Sequence, residues 1–361
     1  MRTSKPLTAA LVAGALLLSG CSSDDGGSAK STTTEAPAPA DTKVVLKGLA
    51  DDVIVPSYVA LSGSLDALSA ATDALCEAPS ATTLAAAQKA WKGADLAYQR
   101  TRAAGVGPAI DDRLMSDVAF AARQTVIDDL LESGDPVDET ALADEGSAAR
   151  GIYASEIALF GEGSDALTSA AGARRCEYAA SVAGLSQAAT DAVTNQWTDG
   201  TAVEDFVDGL DGGPESTVAL VVNEVSHRLE ELDTMGLRDM ASADGVDDLD
   251  PSRLGGPAGQ RLAGRKALME GISAVIGDGT TGISALTGAR DAGTRDRLVA
   301  ADEQADKAMA ALPDSVPDAF DDPASIDAAS DAVSKLKVLV TTEVASKLGV
   351  TITFSDSDGD S

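Results

Sequence analysis

The chain has 361 residues and a formal charge of −31, with 27 Lys and Arg against 58 Asp and Glu. So acidic a surface repels phosphate, which rules out a nucleic-acid binder of the usual basic kind. The single histidine, His227, rules out any site needing two, including the paired-histidine zinc helix of metalloproteases. Hydrophobic residues reach 44% while aromatics stay at 3%, so Ala and Leu supply most of the apolar bulk. These are strong helix formers, and strand-favouring residues are thinly spread. Composition therefore predicts an all-α fold with a real core. At roughly 100–200 residues per domain, the length suits one large domain or two ordinary ones.

Arg2 and Lys5 precede an uncharged apolar run over residues 7–18, too short to span a bilayer. The run ends in Leu18-Ser19-Gly20-Cys21, which is similar to a bacterial lipobox. Residues 1–20 thus read as a lipoprotein signal peptide and Cys21 as the lipidated new N-terminus. The expected protein is exported, lipid-anchored to the bacterial cell membrane and faces the extracytoplasmic side. An ordinary secretory signal cleaved nearby is the alternative. Residues 21–41, rich in Ser, Thr, Gly, Ala and Pro, read as a flexible tether because they cannot bury a core. With Cys21 lipidated, Cys76 and Cys176 remain. Two cysteines in an exported chain predict a disulfide, against the alternative of two buried free thiols.

Residues 41–76 read as a helix that Pro56 must kink or interrupt, since proline removes a donor and crowds the previous turn. After the Glu77-Ala78-Pro79-Ser80 turn, Ser80 can cap a helix running to Tyr98, which Gly105-Val106-Gly107-Pro108 ends. Residues 112–131 read as one helix, 139–160 as one or two, and 164–197 as one broken near Gly172. Glycines and acids make residues 199–216 the best linker. It separates an N-terminal bundle, residues 42–198, from a C-terminal bundle, residues 217–350. In the second, residues 217–237 read as a strong helix and 239–259 as a long polar surface loop. Helical pattern resumes over 262–276, 294–312 and 326–348. Residues 351–361 form an acidic tail. Its Asp356-Ser357-Asp358-Gly359-Asp360 is similar to the start of a calcium loop but lacks the bidentate Glu at the twelfth position.

In the run GIYASEIALFG, residues 151–161, positions 152, 155, 156, 159 and 160 share one helical face. Glu156 therefore sits in an apolar stripe, where a carboxylate needs a partner or a proton. Tyr153, at i−3, can share its contacts. The two form a candidate ligand-binding and metal site. The alternative is a structural ion pair of Glu156 with Arg100, Arg123 or Arg174. His227, with Glu224 and Glu230 at i±3, lies opposite the stripe of Val218, Val222, Val225, Leu229 and Leu232. It reads as part of a solvated polar face. There is no phosphate loop and no nucleophile elbow, and nothing positions a serine beside His227 for a triad.

Gly151-Ile152-Tyr153-Ala154-Ser155-Glu156, followed by an apolar run and Gly161, resembles the hallmark of the imelysin family, a helix bearing Gly-x-His-x-x-Glu. Pro56-Ser57-Tyr58, Cys76, Ala87-Gln88-Lys89-Ala90-Trp91 and Gly107-Pro108 match in order and spacing. So do Arg175-Cys176-Glu177-Tyr178, Trp197, Glu230-Glu231-Leu232 and Leu348-Gly349-Val350-Thr351. The resemblance covers about residues 44–361, most of the chain beyond the expected tether. It implies two helical bundles, thought to be related by duplication, with a cleft between them. It also implies an exported, often lipid-anchored protein linked to bacterial iron acquisition. Gly151 and Glu156 carry over as site residues. Tyr153 stands where the motif has its histidine, so the histidine's role in metal binding or hydrolysis does not carry over. A phenolate and a carboxylate are hard oxygen donors suited to ferric iron, and Tyr can ligate haem iron. The expected function is therefore a binding protein of an iron or haem uptake system. It would touch the membrane through its anchor at Cys21 and work with an iron-uptake permease or peroxidase, without nucleic acid. The family's description as peptidases supplies a second reading, a metallopeptidase, which would need two carboxylates beside one histidine. A third is a partner-binding scaffold with a degenerate site.

Overall fold

A computed structural model describes residues 39–209, 213, 216–243, 245 and 256–353. The signal peptide, the Cys21 lipidation site, the tether up to residue 38 and the tail beyond Thr353 lie outside the described residues. Every regular element among them is helical, and none is a strand. The longer helices are α1 (Pro39–Leu49), α2 (Val55–Glu77), α3 (Ala81–Thr101), α4 (Gln124–Ser133) and α5 (Ile152–Phe160). They continue as α6 (Ala173–Thr198), α7 (Thr217–Leu232), α8 (Arg261–Ile276), α9 (Ala292–Ala310) and α10 (Pro323–Leu339). None of the described helices is long and apolar enough to cross a membrane.

Apolar spacing decides which faces meet. In α2, Tyr58, Leu61, Leu65, Leu68, Thr72 and Leu75 recur at three- and four-residue steps and are all buried. In α3, Leu84, Ala87, Trp91, Ala94 and Tyr98 do the same. Helices α2, α3, α5 and α6 pack in a ring as a first bundle, and α7, α8, α9 and α10 close a second. Helix α3 also lies against α8 and joins the two. The start of α3 is fixed by a capping box: Thr83 N–H donates to the Ser80 hydroxyl at 3.2 Å and Ser80 N–H to the Thr83 hydroxyl at 3.1 Å. Cys76 and Cys176 are bonded, as the cysteine count predicts, and tie the end of α2 to the start of α6.

Several local expectations change or are refined. The interruption expected at Pro56 takes the form of a π turn, not a break in the helix. This turn, over Ala50–Ile54, widens the coil just ahead, and Pro56 falls in the first turn of α2, where proline is tolerated. Residues 112–131 are not one helix. Leu114–Val118 ends in a non-helical stretch before α4, and there the Arg123 N–H turns to the Ala148 carbonyl at 3.0 Å. A short helix, Ala202–Asp208, occupies part of the expected linker, and the expected tether gives way to helix at Pro39. Helix Gly282–Gly288 had no strong sequence signal. The start of the tail is held along α7, with Thr353 N–H donating to Asn223 Oδ1 at 2.8 Å.

Candidate functional site

The site begins with Gly151. Its φ of +85° suits glycine, and a Cβ there would sit 2.5 Å from the Val118 carbonyl oxygen. A side chain would push α5 off Leu114–Val118. With glycine, α5 starts against that turn and is clamped to α3. Trp91 Nε1 donates to the Ile152 carbonyl at 2.6 Å and Gln88 Nε2 to the Leu159 carbonyl at 2.8 Å. This clamp turns Tyr153 and Glu156 toward the polar residues of α3.

Those residues line a cavity of about 700 Å³ between the bundles. Helix α3 contributes Asp95, Tyr98 and Gln99, and the turn that follows it contributes Arg102. Helix α5 contributes Tyr153 and Glu156, and α7 and α8 supply Glu231, Arg261 and Arg265. The non-helical Ala119, Ala121 and Ala122 close one side and Gly256, Pro257 and Gln260 another. Gln99 is the hub. Its Nε2 donates to Tyr153 Oη at 3.0 Å and to Asp95 Oδ1 at 3.2 Å, while its Oε1 accepts from Arg102 Nη1 at 3.0 Å. Turning the amide over would set its nitrogen against the Arg102 guanidinium, a donor only, which fixes the orientation. Arg102 continues to Glu231 at 2.5 Å, and Glu231 to Arg228 at 2.7 Å.

Glu156 is only 5% exposed, as the helical wheel predicts. Its partner is the Ala258 N–H, at 2.9 Å from Oε1. Of the arginines considered as partners, Arg100 bonds Glu270 and Arg174 bonds the carbonyls of Leu130, Leu131 and Asp135. Burial, with Asp95 adding repulsion against the pull of that N–H, raises the Glu156 carboxyl to about 7. Burial likewise raises Asp95, against the hydrogen bonds from Gln99 and Gln260 and the charge of Arg102. Tyr153 is pushed well above the usual phenol value by burial first, then by Asp95 and Tyr98. Glu231 behaves oppositely. Burial would raise it, but Arg102 and Arg228 hold it below the ordinary carboxylate value. Burial therefore raises the proton affinity of two carboxyls and of the Tyr98 and Tyr153 phenols in the cavity, while Glu231 is a paired carboxylate. Among the described residues, no three His, Cys, Asp or Glu side chains gather closely enough to hold a metal ion by themselves.

His227 is half-buried, not solvated. Burial and the neighbouring Arg228 lower its pKa. The polar face of α7 abuts the Arg102–Ala104 turn, which explains the difference: a charged face can be inside when another bundle brings the opposite charge. His227 is not among the cavity-lining residues. Sequence reasoning missed Asp95, Gln99 and Arg102. A signal was available, because they continue the stripe of Trp91 at steps of four, eight and eleven residues.

A family profile described as Imelysin matches residues 54–342. No curated protein matches the chain. Two solved structures are similar. An imelysin-like protein from Psychrobacter arcticum 273-4 has a TM-score of 0.73 and 19% identity, over 88% of this chain and 98% of that one. A protein from Parabacteroides distasonis ATCC 8503, provisionally named an iron-regulated protein A precursor, has a TM-score of 0.73 and 18% identity, over 88% and 97%. At such identities the likeness shows the fold.

Proposed function

Because the chain belongs to the imelysin family, we propose that it is a lipid-anchored extracytoplasmic binding protein of an iron or haem uptake system, holding its ligand in the cavity between α3, α5 and α8. One observation carries this reading: Glu156 is buried beside a cavity with a backbone N–H and, among the described residues, no cation for a partner. A purely structural acid in that position would gain from an arginine, and arginines lie nearby. The name of the Parabacteroides protein supports the iron class.

The donor set fits a hard cation as cargo. Tyr153, Glu156 and Asp95 offer oxygen only. Burial raises the proton affinity of all three when the cavity is empty, so a cation competes with protons there and binding strengthens with pH. Gln99 assists, since its N–H donates to the Tyr153 oxygen and stabilises a phenolate there. Arg102 acts in the same direction through its charge.

The test is a titration with ferric nitrilotriacetate. Wild-type protein is expected to show a phenolate-to-iron charge-transfer band that Tyr153→Phe lacks, with both proteins melting alike. A colourless wild type at saturating ferric probe would contradict the role of Tyr153.

A further inference from the structure

Residues 256–260 make a thin wall of the cavity. Gly256, Pro257 and Gln260 line it, while Gly256, Pro257 and Gly259 are exposed to solvent on the outside. The segment is a preformed unit. Gly259 N–H donates to the Gly256 carbonyl at 3.2 Å, closing a β-turn with proline at its second position. The groups that hold this unit in place are the site's own acids. Ala258 N–H donates to Glu156 Oε1 at 2.9 Å, and Gln260 Nε2 donates to Asp95 Oδ2 at 3.0 Å and to the Lys92 carbonyl at 2.8 Å. Gly256, at φ +61°, lies flat against Glu156, so close that a Cβ would come within 2.4 Å of its carboxyl oxygen. Both acids assigned to the ligand are thus already occupied by the protein's own backbone and amide groups.

We propose that residues 256–260 form a strap that closes the cavity by occupying Glu156 and Asp95, and that a ligand taking those carboxyls releases the strap. Closure and ligand binding then compete for the same oxygens. The empty site stays covered, and the strap opens only when something binds the acids better than Ala258 and Gln260 do. The ligand half of this proposal rests on the binding role given above; the strap itself does not.

Hydrogen exchange of the full chain, read by mass spectrometry, separates the two. Gln260→Ala removes the bonds to Asp95 and Lys92, and Gly256→Ala drives a methyl into Glu156. Each is expected to speed exchange over residues 256–260 about tenfold or more while α3 and α5 keep wild-type rates. Unchanged exchange in both variants, or loss of protection spreading through α3 and α5, would overturn the strap. Ferric nitrilotriacetate added to wild type should speed exchange in the same segment. A probe that binds and leaves the segment protected would overturn release by ligand. If the probe does not bind at all, the iron reading fails, and the two variants alone decide the strap.

Discussion

Asp233 and Glu156 are both buried acids, and their surroundings differ in kind. Asp233 opens the π turn after α7 and has no exposed surface. It meets two cations, Arg238 in a forked contact at 3.0 Å on each oxygen and Lys337 of α10 at 2.5 Å. Every strong acceptor direction is filled by charge, so the group ties one helix to another. Glu156 has a backbone N–H, a neighbouring acid that repels it, and a cavity. Asp302, in α9, sharpens the contrast. It is buried, bonded to the Ser273 hydroxyl at 2.9 Å, and raised to about 7 by burial, yet it does not line the cavity between the bundles. An unpaired buried acid alone does not make a site. Glu156 combines that state with open space and a second acid.

The largest expected loss of stability falls on the paired acid. Asp233→Ala should destabilise the fold by ~1–3 kcal/mol, because the nearly buried Lys337 loses one of its two anions and keeps only Glu230, at 2.9 Å. Denaturant midpoints measure this, and ferric binding by the folded variant should be unchanged. A loss under ~1 kcal/mol would place Asp233 among ordinary surface pairs.

Asp302→Asn tests the unpaired acid without a cavity. In the folded chain its carboxyl titrates at about 7 instead of the ordinary 3.8. The folded state therefore holds a proton that the unfolded chain releases. This stabilisation is complete below about pH 4 and is lost as pH rises through about 7. Asp302→Asn should flatten that slope and gain ~1–3 kcal/mol relative to wild type on going from pH 5 to pH 8. Urea melts at the two values measure it. An equal wild-type-to-variant difference at both would contradict the burial argument.

The contrast between these acids was only partly legible in the sequence. The position of Glu156 on a buried stripe follows from helical spacing alone, and so does the need for Gly151 once the helix start is known. The cysteine count gave the pair that joins α2 to α6. What could not be read was the partner. Ala258 lies 102 residues from Glu156 and bonds through its backbone, which leaves no trace in side-chain pattern. The polar run of residues 239–259 looked like an ordinary surface loop for the same reason. His227 and Arg102 failed differently. Each helix shows a polar face, and only the packing of two bundles reveals that such faces can satisfy each other inside the molecule.

Glu156→Gln tests the central claim most directly, with ferric nitrilotriacetate binding and thermal melting measured on the same preparation at pH 7.5. Glutamine keeps the shape and can still accept the Ala258 N–H, but it cannot ionise. Affinity for the probe should fall about tenfold or more, a loss of ~1.4 kcal/mol, while the melting temperature stays level or rises. Unchanged affinity with a lower melting temperature would contradict the account and make Glu156 a structural acid like Asp233.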